Sequence, residues 1–175
     1  MKQQQTFADI EYSNRKHITK REEFLNAMDQ LVPWSECLAA IRPFYPSGKR
    51  GRRPRGMETM LRMYLLQKWF QLSDERIEDA VYDSYAMRSF LHLDFLHEQV
   101  PDSTTLLKFR HLLEDKGLEQ QISAKIHTCL EKAGLTLRRG TVIDASLTAI
   151  PAPPKKQHTH RKSTDDSFDQ LQFHF

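Results

Sequence analysis

The sequence predicts a mainly α-helical fold. Three observations carry this. Apolar residues recur at three- and four-residue spacing through most of residues 19–134. Capping residues at one end and glycine or proline at the other divide that stretch into pieces of helical length. A β-branched run, Thr141 to Ile143, comes only after the helical pattern has stopped.

Residues 1–18 are polar and aperiodic, which predicts a flexible arm. "TKREEFLNAMDQL" then opens on Thr19 with Glu22 three residues later, a capping-box arrangement. Phe24, Leu25, Met28 and Leu31 follow at helical spacing. "PWSECLAAIRPFYP" predicts a second, short helix begun near Pro33 and ended by Pro43 and Pro46. "SGKRGRRPRG" is the sharpest composition shift in the chain and predicts an exposed loop. "METMLRMYLLQKWFQL" is apolar on most sides, as expected of a helix at the centre of a helical domain.

Ser73 can cap the next helix, and Asp74 and Glu75 suit its positive end. Ile77, Ala80, Val81 and Tyr85 supply its apolar stripe, and "SYAMRSFLHL" continues it or forms a kinked short helix. "VPDSTTLLKFRHLLEDKG" can be capped by Asp102 or Ser103 and stopped by Gly117. "LEQQISAKIHTCLEKAG" repeats the plan, with Leu118, Ile122, Ile126, Cys129 and Leu130 on one face and Gly134 as stop. "LTLRRGTVIDASL" predicts a hairpin or strand within residues 135–150. Residues 151–175 lack periodicity, which predicts a disordered tail.

The 175 residues suffice for one ordinary domain, or for a domain and part of another. Net charge is only +3, so the placement of charge matters more than its total. No run approaches the roughly 18 apolar residues of a membrane span. The first residues have no apolar core for a secretory signal. Cys37 and Cys129 lie far apart without CxxC spacing and read as reduced thiols in a core. The expectation is a bacterial-type or nuclear soluble protein of a reducing compartment, with no membrane partner.

Three features could carry chemistry. Lys49, Arg50, Arg52, Arg53 and Arg55 lie within seven positions that contain no acid. Arginine forks suit phosphate, and neutralising DNA phosphates releases counterions, so such a loop can bind nucleic acid. It can equally be a solvated loop, or one paired with acids between Asp74 and Asp79. Asp144 follows a β-branched run, where a carboxylate can hold Mg²⁺, although two-metal phosphoryl transfer needs several carboxylates. A strand-end aspartate can also merely cap a turn. His158, His160 and His174 sit in the tail without the fixed partners a metal site requires. His92, His97, His111 and His127 read as surface or packed helix residues. No GxSxG, GxxxxGKS or GxGxxG pattern occurs.

"GKRGRRPRGMETMLRMYLLQKWFQLSDERIEDAVYDSYAMRSFL", "PDSTTLLKFRHLLEDKGL" and "GTVIDASL" together resemble the N-terminal part of bacterial insertion-sequence transposases of the insertion sequence five type. The resemblance runs from Ile18 to Leu147. It implies a helical DNA-binding domain over residues 19–134, then the first strand or strands of a ribonuclease-H-like α/β core. It implies DNA transposition by an Asp-Asp-Glu triad that binds divalent metal, Mg²⁺ being the expected ion. Asp144 matches the first aspartate of that triad and would be its catalytic and metal-binding member. The implied partners are DNA at the element's terminal inverted repeats and a second copy or full-length transposase, in a bacterial cytoplasm.

The departure from the family begins after Leu147. Asp165, Asp166 and Asp169 lie in the aperiodic tail, without strands to hold them. "PAPPKKQ" is what a linker such as "APSSTKNK" could yield when read one base out of register. The reading is therefore a truncated or frameshifted transposase that binds DNA without catalysing alone. A short gene, or programmed frameshifting, would leave a similar product. Competing functions are a regulator that inhibits the full-length enzyme, a nuclease using Asp144 with the tail aspartates, and an inert remnant.

Overall fold

A computed structural model of the chain describes residues 14–48, 54–95, 97–139 and 145–149. The described part is mainly helical, as expected. Its helices are α1 (Lys20–Leu31), α2 (Trp34–Ile41), α3 (Met57–Phe70), α4 (Asp74–Asp83), α5 (Tyr85–Phe90), α6 (Ser103–Asp115) and α7 (Leu118–Lys132). Two strands follow, β1 (Leu135–Arg139) and β2 (Ala145–Ala149).

The caps are those the sequence offers. Thr19 accepts a hydrogen bond from the Glu22 N–H at 3.2 Å, and Ser73 does the same for Arg76 at 3.2 Å. Of the two candidates before α6, Asp102 is the cap and accepts from the Thr105 N–H at 2.7 Å. Each satisfies a backbone donor that the first helical turn leaves free. The "SYAMRSF" stretch is the separate short helix, started by Ser84, whose hydroxyl accepts from the Met87 N–H. Gly117 and Gly134 take left-handed backbone at φ 63° and 69°, which stops α6 and α7.

α3 is the centre. Ten of its 14 residues, from Met60 to Phe70, are buried. It touches α2, α4 and α6. Its end departs from the expected reach to Leu72, because Gln71 turns left-handed at φ 51° and Leu72 N–H donates back to Gln67 O at 3.1 Å. That bond satisfies a free carbonyl in the way of a Schellman stop, with glutamine where glycine is usual. Around α3, Phe24 packs edge-on against Trp69 and Phe70, and Trp34 and Trp69 both meet Phe90. α1 lies against α5 and α7, and α4 against α5 and α6.

The expected hairpin is present. β1 and β2 pair antiparallel, with Leu135 opposite Ala149 and Arg139 opposite Ala145. Leu135 and Leu137 pack partly against the helical core. β1 lies beside α7 and β2 beside α1. The Thr141–Ile143 run and the tail lie outside the described residues. Cys129, expected on the buried face of α7, is only half-buried, whereas Cys37 is fully buried. Burial pushes the Cys37 thiol up to about 11, so it stays protonated and unreactive.

Candidate nucleic-acid interface

Of the five cations proposed to meet DNA, Arg55 lies within the described residues, while Lys49, Arg50, Arg52 and Arg53 lie outside them. The base of their loop is described on both sides. Tyr45 leaves α2 and its hydroxyl donates to the Arg55 carbonyl at 2.7 Å, ten residues on. The Tyr45 ring meets Phe109 of α6 edge-on at 6.1 Å. Burial raises the Tyr45 pKa, so the phenol keeps the proton that makes this bond. The bond draws the two ends of the basic segment together and fixes them on the α3–α6 packing.

The surroundings of that base carry the same charge. Residues 42–55 hold Arg42 and the five loop cations without an acid. Arg42 is exposed, and Arg55 is half-buried. Phe44 is 45% exposed, with the Lys116 ammonium 5.6 Å from its ring centre. A cation over an aromatic face is held there by the ring quadrupole. Lys116 therefore adds its charge beside Phe44, a contribution that nothing in its own sequence neighbourhood announces.

The acids between Asp74 and Asp79 were the alternative partners for the loop. Asp74 is committed elsewhere. Arg110 of α6 grips it with both terminal nitrogens, at 2.9 and 3.1 Å, and Gln67 of α3 donates to it at 2.6 Å. Burial works against its charge, but the Gln67 and Arg110 bonds outweigh it and the carboxyl sits below its ordinary range. Lys68 binds Glu119 at 2.7 Å, which lowers that carboxyl as well. Tyr64 is pushed up, by burial first and then by Glu119 beside it. Gln67, Lys68 and Asp74 belong to "LQKWFQLSD", and Arg110 to "PDSTTLLKFRHLLE". Two of the stretches that carry the family resemblance thus meet in one polar network.

A second network escaped the sequence reading. Arg62 is 2% exposed, yet it points between Asp29 (2.6 Å) and Glu58 (2.9 Å) and donates to Phe90 O at 2.9 Å. Its guanidinium stacks 4.0 Å from the Trp34 ring centre. His92, left-handed at φ 54°, stands 3.8 Å from both carboxylates. Burial and then the Arg62 charge lower its pKa. These groups bind one another and join α1, α2, α3 and α5.

Asp144 lies outside the described residues. Among the described residues, no three histidine, cysteine or carboxylate side chains gather where they could hold a metal ion. No helix among the described residues is long and apolar enough to cross a membrane.

Helices packed around a buried central helix, followed by an antiparallel hairpin, define a mainly α-helical domain. The chain belongs to the transposase domain family (DUF772), whose model matches residues 13–112. The match begins ahead of α1, ends within α6, and includes the basic loop and both halves of the Asp74–Arg110 network. No solved structure matches the chain.

Proposed function

We propose that this chain is the DNA-binding part of an insertion-sequence transposase of the insertion sequence five type, acting on the terminal inverted repeats. The observation that carries the reading is the acid-free segment 42–55, anchored by Tyr45 inside a matched transposase domain. On this reading residues 19–134 bind DNA, and Lys49, Arg50, Arg52, Arg53 and Arg55 meet phosphates. Asp144 is the first aspartate of the triad, in residues 135–150. The residues after it contain Asp165, Asp166 and Asp169 but no glutamate. Catalysis by an Asp-Asp-Glu triad then requires a glutamate that residues 145–175 do not contain. The bacterial cytoplasm is the expected setting.

The test is DNA binding measured across salt concentration with a duplex carrying the DNA that flanks the gene. Replacing Arg50, Arg52 and Arg53 with Ala should weaken binding and flatten the logarithmic salt slope by roughly 0.9 for each phosphate no longer neutralised. Unchanged binding and slope reject the loop as the DNA-binding element. A second reading, a regulator of the full-length enzyme, rests on the same binding. It predicts that added fragment suppresses transposition, and full activity in its presence removes it.

A further inference from the structure

A second positive surface lies at the other end of α3. Arg15, Lys20 and Arg21 line a groove of about 690 Å³ between the start of α1 and the α4–α5 junction. Ser84 and Tyr85 add hydroxyls, and Asp83 is the one acid among the described residues of the lining. Arg15 is bound to Glu22 at 3.0 Å, which holds it in place and offsets its charge. Lys20 and Arg21 form no ion pair with another described residue. Arg21 lays its guanidinium 5.5 Å from the Phe70 ring centre, and its Nε is buried without a hydrogen-bond acceptor among the described residues. A guanidinium held over a ring and without an ion pair among the described residues keeps its charge for an anion, which its terminal nitrogens would meet because the buried Nε is out of reach.

We propose that this groove is a second docking point for the DNA backbone, with Lys20 and Arg21 each meeting a phosphate and Arg15 flanking them. The inference rests on the DNA-binding reading above. The spacing suits a duplex. Arg55 precedes the first residue of α3 and Arg21 stacks on its last. A helix of 14 residues is about 21 Å long, which corresponds to about six base pairs of axial rise. α3 itself is buried, so the duplex runs outside the bundle, parallel to the α3 axis, and binding energy is divided between two clusters.

The experiment compares the whole chain with two variants, Lys20→Gln alone and Lys20→Gln with Arg21→Gln. Lys20 is exposed and makes no ion pair with a described residue, so the single variant keeps the test valid if loss of the Phe70 stack disturbs folding. The readouts are the salt slope of duplex binding and the length of backbone protected from hydroxyl radicals. The expected result is a slope reduced by roughly 0.9 per replaced cation, equivalent to about eightfold weaker binding for each at 0.1 M salt. Protection should retract by about six base pairs from the side away from the loop. A wild-type chain that binds with a steep slope, and variants with the same slope and protection, overturn the groove and leave the loop reading intact. A wild-type chain with no salt-dependent DNA binding overturns both.

Discussion

Arg62 shows how much one residue can decide. It sits on the central helix where its neighbours are apolar, and it is buried as deeply as they are. Its charge is met by two carboxylates and a carbonyl, and its plane fills space against Trp34 and Phe90. Arg62→Ala removes both roles and should cost about 3 kcal/mol, seen as a lower midpoint in urea. Arg62→Met keeps much of the packing and should lose less. Equal losses would mean that the charge alone matters. The helical stripe around Arg62 was legible in the sequence, but its burial was not. Its partners Asp29 and Phe90 lie 33 and 28 residues away, beyond any local pattern. Cys129 illustrates the same limit, since helical spacing gives the face but not how far the neighbouring elements cover it.

At the level of elements, local chemistry spoke clearly. Thr19, Ser73 and Asp102 start the helices at which their side chains stood ready, because capping needs only the next three residues. The stop of α3 was harder to read. Gln71 carries a steric penalty for a backbone that glycine adopts freely. Gln71→Gly should therefore stabilise the fold by about 1 kcal/mol, and thermal unfolding would show the midpoint rising. A falling midpoint would mean that the Gln71 side chain contributes more than its strain costs. The hairpin after α7 was legible as a change of period, and its register pairs apolar positions, Leu137 opposite Leu147 and Leu135 opposite Ala149.

Across the whole molecule, three polar groups make stability depend on pH in one direction. Asp74 and Glu119 have folded pKa values below their ordinary 3.8 and 4.5, and His92 lies below its ordinary 6.5. In each case the unfolded chain binds the proton more readily than the folded one. Stability therefore rises with pH through these ranges. On acidification the His92 part begins to be lost near pH 6.5, and the carboxylate parts follow near and below pH 4.5 as the folded forms titrate. Unfolding free energy followed from pH 8 to pH 4 should fall in that order, and His92→Gln should remove the earlier step. A flat profile above pH 5 would show that His92 is not linked to folding. The candidate interface was proposed from composition, five cations and three glycines, and four of those cations lie outside the described residues. Its anchoring was not legible in the sequence, because Tyr45 and Phe109 are distant in sequence and meet only when α6 packs on α3.

The Tyr45–Arg55 bond also uncouples the helical scaffold from the segment it closes. With both ends fastened to the core, the segment between them can gain, lose or exchange residues without moving a helix. Lengthening a closed loop is cheap, about 0.6 kcal/mol for each doubling. On the proposed reading, related chains could thus vary the loop's charge and its hold on phosphates while keeping one scaffold, provided the tyrosine and the ring beneath it stay in place.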